Sequence, residues 1–314
     1  MKKGGRGQLK ANFISYLKER FPLSFHLPII LLFYLAIYLF ASLHSTNIIF
    51  SIRTLLGFLT VFLIFFHLRL FDDLKDYYKD RSRFPDRLLS KEVITVNQIK
   101  YASLIVIGLE ITFSSLMGFQ TFLLYLGTLS YSILMYFEFF IKDKLKKNIL
   151  VYNFSHQFLI ILIGLYIYTV YHSTIEAINI LYLAFLINMF LIFAMFEFIR
   201  KIKDEKDPHF DLSYVYIFGR KKFSIIIFSL LCIITTLSLF TLTSITTNPV
   251  LYLLQIFIVF CLFILSILYA KRRSKVGCKT IKISYSVFML LILLLIVVPI
   301  LVLKHSSLEF LIGW

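Results

Sequence analysis

Asp72-Asp73-Leu74-Lys75-Asp76-Tyr77-Tyr78-Lys79-Asp80 follows directly on an apolar run that extends from Ile48 to Phe71. Four carboxylates thus fall within nine residues, where a hydrocarbon segment meets water. If one helix runs through, Asp72, Asp76 and Asp80 stack four apart on one face, with Asp73 beside them. Like charges at that spacing repel, so the stripe costs stability unless a cation lies among the oxygens. Hard oxygen donors of this kind suit Mg²⁺, which takes one or two carboxylates and leaves positions open for substrate phosphates. Lys75, Lys79, Arg81 and Arg83 offer a plainer alternative, a solvated helix end whose charges are offset locally.

Outward from this stretch, the chain is 59% hydrophobic and only 16% charged over 314 residues, the composition of a polytopic membrane protein. Nine apolar runs are long enough to cross a bilayer: about 22–43, 48–71, 94–117, 120–141, 149–171, 175–199, 223–246, 250–270 and 283–303. The fold class expected is therefore all-α, with nine transmembrane helices in a single bundle spanning 1–314. Pro22 and Pro28 stand in the first run without a small-residue cleavage site, so a removed signal peptide is not expected. Residues 1–20, with Lys2, Lys3, Arg6, Lys10, Lys18 and Arg20, read as a basic arm or interfacial helix to which no chemistry is assigned.

The net charge of +16 would suit a nucleic-acid partner if it were spread evenly, and it is not. Lys and Arg number six before the first run, then none, six, none, four, none, seven, none and six in successive connections, with Lys304 alone beyond the last. That alternation is the positive-inside pattern and places the N-terminus and every polar loop in the cytoplasm. No nucleic-acid partner is expected; anionic lipid headgroups and diphosphates are. Cys232, Cys261 and Cys278 lack metal-ligand spacing and read as packing residues rather than disulfides. The two long polar connections, Asp72–Val93 and Arg200–Lys222, follow the second and sixth runs. This four-span period suggests duplication of a four-helix unit, with a ninth helix added.

Arg69 lies one turn deeper than the aspartates, where an ionisable residue is expensive and usually pairs or functions. Arg81, Arg83, Arg87 and Lys91 follow. Carboxylates holding Mg²⁺ beside such cations would stabilise charge growing on a leaving diphosphate. The spacing Asp72-Asp73-x-x-Asp76-x-x-x-Asp80, followed by Arg87-Leu88-Leu89-Ser90, resembles the first signature of the UbiA superfamily of intramembrane prenyltransferases. Its usual form is Asn-Asp-x-x-Asp-x-x-x-Asp with a downstream Arg-Pro-Leu-Pro. Here Asp72 replaces the Asn, and Leu88 and Ser90 stand where prolines are common. The resemblance covers essentially the whole chain and implies a nine-helix bundle whose active site opens to the cytoplasm, in a membrane of the bacterial inner (plasma) type.

The resemblance implies a second acidic motif after the sixth run, usually Asp-x-x-x-Asp. Asp207 and Asp211 have that spacing, but Pro208 leaves them on a loop. Glu197, Arg200 and Asp204 would share one helical face and are preferred, with Glu197 and Asp204 on a second Mg²⁺. Asp72, Asp73, Asp76 and Asp80 would hold the first. Asp73, Asp76, Asp80 and Arg87 would be catalytic, and Arg69, Lys91, Arg200 and Lys201 would bind phosphate. A further family feature, Tyr followed four residues on by Lys, is absent, because Met135 follows Tyr131. The reaction expected is transfer of an isoprenyl group from a prenyl diphosphate to a lipophilic, aromatic acceptor. The alternatives are a terpene cyclase of the same superfamily, or a non-catalytic cation-binding or transport protein. Transporter sites lie near the midplane on broken helices, whereas these charges lie at one face.

Among other polar residues within the runs, His67 reads as packed or hydrogen-bonded. Glu110, Glu138 and Asn188 draw the suspicion due to intramembrane polar groups. His156, with Asn153 and Gln157, is placed to contact an acceptor.

Overall fold

A computed structural model describes residues 5–176, 178–271, 277–304 and 308–310. Lys2, Lys3, Arg272, Arg273 and Lys275, which entered the charge alternation, lie outside the described residues. A first helix, α1 (Gly5–Arg20), leads through Pro22 into α2 (Leu23–Ala41). There follow α3 (Ile52–Lys75), α4 (Tyr77–Arg83), α5 (Val96–Ser115), α6 (Phe119–Tyr136), α7 (Lys142–Lys147), α8 (Ile149–Gln157), α9 (Leu159–His172) and α10 (Ile180–Arg200). The last three are α11 (Tyr214–Thr243), α12 (Pro249–Ala270) and α13 (Cys278–Leu303).

Among the described residues, seven segments are long and apolar enough to span a membrane: α2, α3, α8 with α9, α10, α11, α12 and α13. The other two runs expected to span fall on helices α5 and α6, of 20 and 18 residues, which are not among those seven. Lys100 and Glu110 on α5, and a row of hydroxyls on α6, dilute their apolar character. Several boundaries differ from expectation; α11 starts at Tyr214 rather than near 223, and α6 ends at Tyr136 rather than near 141. Ile48–Phe50 is a strand, β1, paired in parallel with β2 (Leu308–Phe310), and the helix begins only at Ile52. The backbone N–H of Ser51 donates to Thr54 Oγ1 at 3.1 Å, a capping contact that sets that start. Cys278 opens α13 rather than lying in a loop.

Close approach of helices fixes the bundle. At Gly57 on α3, a Cβ would lie 2.7 Å from Val170 Cγ1 of α9 and 2.8 Å from the Tyr34 hydroxyl of α2. Small residues let backbones pack where the surrounding lipid supplies no hydrophobic driving force. The Tyr34 hydroxyl donates to the Thr54 carbonyl at 2.9 Å, tying α2 to α3. α3 also packs along α5, as α10 packs along α11. Farther along the α3–α5 seam, His67 Nδ1 meets both Glu110 oxygens at 2.8 and 3.0 Å, and Nε2 meets Ser132 Oγ at 3.1 Å. Tyr125 donates to Glu110 at 3.1 Å. His67 is thus hydrogen-bonded, as expected, and this fully buried pair joins α3, α5 and α6.

Candidate active site

Successive residues of a helix point about 100° apart, and this separates Asp72 from Asp73. Asp72 is exposed within a cavity of about 700 Å³ between α3, α8, α9 and α10. Asp73 turns toward α1 and is buried, 3% exposed. Tyr16 donates to Asp73 Oδ2 at 2.7 Å, and Arg20 Nε lies 3.0 and 3.1 Å from its two oxygens. A second Arg20 nitrogen also bonds Asp73, and Arg69 Nη2 reaches it at 3.1 Å. A carboxylate offers about four lone-pair sites, and these donors occupy them. Burial and the adjacent Asp73 charge hold the Tyr16 hydroxyl far above the usual tyrosine range, so it stays a donor. From sequence alone α1 carries no assigned chemistry. The available signal was Tyr16 and Arg20, four apart on one helical face immediately before the first span.

The expected unbroken helix stops at Asp76, which ends α3 and begins α4. Hydrogen bonds from Asp76 N to Asp72 O (3.0 Å) and from Asp80 N to Asp76 O (2.8 Å) nevertheless keep the four-residue stagger. Asp72, Asp76 and Asp80 all line the cavity. Asp72 has one loose partner, Lys75 at 3.7 Å. Asp76 has no salt-bridge partner among the described residues. Asp80 is bound by Arg87, whose guanidinium lies 3.9 Å over the Phe84 ring. Burial raises the Asp80 carboxyl above its ordinary value, against the opposing pull of Arg87 and with reinforcement from Asp76.

On the opposite wall, Glu197, Arg200 and Lys201 face the same cavity. Glu197 accepts two hydrogen bonds from Arg200, both 2.9 Å, and lies 2.8 Å from Lys201 Nζ. Asp204 corrects the expectation. The helix ends at Arg200, so Asp204 leaves the face of Glu197, accepts from Lys206 N at 3.2 Å, and does not line the cavity. Lys91 is also outside it and pairs with Asp86 at 3.2 Å. Asp207 is held by Lys203 and by the amide of His209, and Asp211 by Arg83, so the loop aspartates serve their loop. The His209 amide is the main reason the Asp207 carboxyl lies below its ordinary range.

Among the described residues, six carboxylates line the cavity: Glu19, Asp72, Asp73, Asp76, Asp80 and Glu197. Six cations match them: Arg20, Arg69, Lys75, Arg87, Arg200 and Lys201. Phe65, Leu68, Met135, Ile160, Ile163 and Phe193 form an apolar part of the wall, beside the polar side chains Tyr152, Asn153, His156 and Gln157 of α8. One chamber thus offers a charged mouth and a partly apolar interior.

The UbiA prenyltransferase family profile matches residues 30–292. The chain belongs to this family. As a UbiA member with seven clearly apolar spans, it is an integral membrane protein. Its fold is similar to a structure of digeranylgeranylglyceryl phosphate synthase in membranes, with TM-score 0.61 and 18% identity over 92% of this chain and 99% of that one. It is also similar to the apo structure of a UbiA homologue from Aeropyrum pernix K1, with TM-score 0.62 and 16% identity over 86% and 96% of the two chains. No curated protein matches it.

Proposed function

We propose that this UbiA member ionises a prenyl diphosphate in the cavity and transfers the isoprenyl group to a lipophilic acceptor, with Mg²⁺ as cofactor. The observation that carries the reading is the charge balance of the mouth. Its six cations are already matched by six carboxylates, so a multiply charged diphosphate needs further positive charge. Asp76, without a cationic partner among the described residues, and Asp72, with one at 3.7 Å, are oxygen donors of the kind Mg²⁺ takes. Among the described residues no three His, Cys, Asp or Glu side chains already stand together as a metal site, and both Glu197 oxygens are taken by Arg200 and Lys201; Asp72, Asp76 and Asp80 would converge on the metal. Bound there, Mg²⁺ would supply Lewis-acid stabilisation of the leaving diphosphate.

Arg87, Arg200, Lys201 and Arg69 would bind the phosphate oxygens and stabilise the negative charge that grows on them. Asp73 acts one step back, holding Arg20 and Arg69 at the wall. Phe65 and Phe193 offer ring faces to an allylic cation and keep water from it. A volume of about 700 Å³ is within the range of small-molecule sites. The same reading takes α5 and α6 as membrane crossings, nine in all, with α1 and the charged mouth cytoplasmic in a bacterial inner membrane.

The test is purified protein in nanodiscs with labelled geranylgeranyl diphosphate. Release of inorganic diphosphate that needs Mg²⁺ and stops with EDTA is expected. No release with prenyl diphosphates from ten to forty carbons, metal present, would reject the reading.

A further inference from the structure

Two buried atoms on the cavity wall formed by α8 have no protein partner among the described residues: Nε2 of His156 and Oδ1 of Asn153. Both side chains line the cavity, three residues apart and so on one helical face. Their partnered atoms define what the free ones are. Nδ1 of His156 donates to the Tyr152 carbonyl at 2.8 Å, with Ser155 Oγ farther off at 3.4 Å. In the neutral ring this leaves the lone pair on Nε2. The Asn153 amide nitrogen donates to the Ala194 carbonyl at 3.1 Å, which leaves Oδ1 as an acceptor. The imidazole is fixed by stacking on Tyr152, centroids 4.1 Å apart, and by the edge of Phe139 at 6.0 Å. Both acceptors are already covered and without a partner among the described residues, a cost that a donor on a bound ligand would relieve.

We infer that this wall is a subsite for a hydroxyl-bearing acceptor, whose O–H donates to His156 Nε2. An ether or hydrocarbon would leave both atoms unmatched, and a carboxylate would meet two acceptors with a third. A lipid alcohol or a phenol fits. This deepens the prenyl-transfer reading and, for chemistry alone, rests on it. When the allylic C–O bond breaks, its electron pair leaves with the diphosphate. A lone pair of the acceptor oxygen then forms the new C–O bond, and the acceptor proton passes to Nε2. The imidazolium so formed would return that proton to water at the mouth.

Binding tests the subsite apart from catalysis. The probes are 1-naphthol with its methyl ether, and 1-O-hexadecylglycerol with its dimethyl ether. Each is titrated into wild-type protein carrying geranylgeranyl thiodiphosphate, a slowly reacting analogue. Each hydroxyl probe should bind roughly tenfold or more tightly than its ether, the ratio expected for one buried acceptor left unmatched. The gap should collapse in His156→Phe and shrink in Asn153→Leu. Hydroxyl and ether binding alike in the wild type, or neither binding, overturns the inference whatever the variants do. A gap that persists in a folded His156→Phe also overturns it. For the proton step, His156→Gln should lower kcat for alkylation of 1-O-hexadecylglycerol at least roughly tenfold, while the affinity for geranylgeranyl thiodiphosphate stays within about twofold. Lost affinity for that analogue would place His156 in the diphosphate site and overturn the acceptor subsite, and wild-type transfer by His156→Gln would remove His156 as the proton acceptor.

Discussion

Arg20, the last residue of α1, grips the buried carboxylate of Asp73 through Nε at 3.0 and 3.1 Å and through a second nitrogen. The contact joins the N-terminal arm to the middle of the acidic signature, 53 residues apart. It takes Asp73 out of the set of free oxygens and makes it an anchor for two arginines at the cavity mouth.

Arg20→Ala should therefore lower thermal stability, by about 1–3 kcal/mol, as hydrogen bonds to a charged, buried group are lost. Asp73→Asn should destabilise in the same way, yet weaken Mg²⁺ binding less than Asp76→Asn does. Calorimetric unfolding and metal titration of the three variants would check this. A larger loss of Mg²⁺ affinity in Asp73→Asn than in Asp76→Asn would return Asp73 to the ligand set.

Asp76→Asn and Asp80→Asn should each abolish Mg²⁺-dependent turnover and leave the bundle folded. Removing one of several clustered negative charges relieves repulsion when no metal is present. In EDTA the unfolding temperature of Asp76→Asn should therefore hold or rise, while Asp80→Asn, which also gives up its pairing with Arg87, should melt below it. Full activity in both variants would be incompatible with a metal at these aspartates.

Glu197 and Asp204 should behave differently, although both were candidates from sequence. Glu197→Gln alters a cavity wall and frees Arg200 and Lys201, so turnover should fall at least roughly tenfold, about 1.4 kcal/mol. Asp204→Asn and Lys91→Ala lie off the cavity and should stay within about twofold of wild type. Steady-state rates on the same prenyl diphosphate decide the ordering.

Gly57→Ala should destabilise by about 1–3 kcal/mol through overpacking. The new methyl meets Val170 and the Tyr34 hydroxyl closer than van der Waals contact, and moving Tyr34 would break its bond to Thr54. Thermal melts beside Gly127→Ala, where a Cβ meets nothing within 4 Å, provide the comparison. Equal melting temperatures would show that the helices shift at little cost.

Cysteines placed at Pro85 and His44 in a cysteine-free background should label from opposite sides of a sealed membrane, Pro85 from the cytoplasm. Both positions are exposed. Labelling from one side would contradict the topology.

Much of this was written in the chain. Apolar run lengths placed the helices, because crossing hydrocarbon demands about 20 apolar residues whatever the tertiary contacts. The spacing of Asp72, Asp76 and Asp80 survived a break in the helix, because backbone hydrogen bonds across Asp76 preserved the stagger. What local pattern could not settle was which carboxylates face inward. Asp72 and Asp73 point about 100° apart on any helix, but only the docking of α1 decides that Asp73 is the one buried as an anchor. Asp204 kept the right helical spacing from Glu197, but the helix that would have used it ended at Arg200. Burial, partner and direction depend on contacts between residues distant in sequence, and those exist only once the helices have packed.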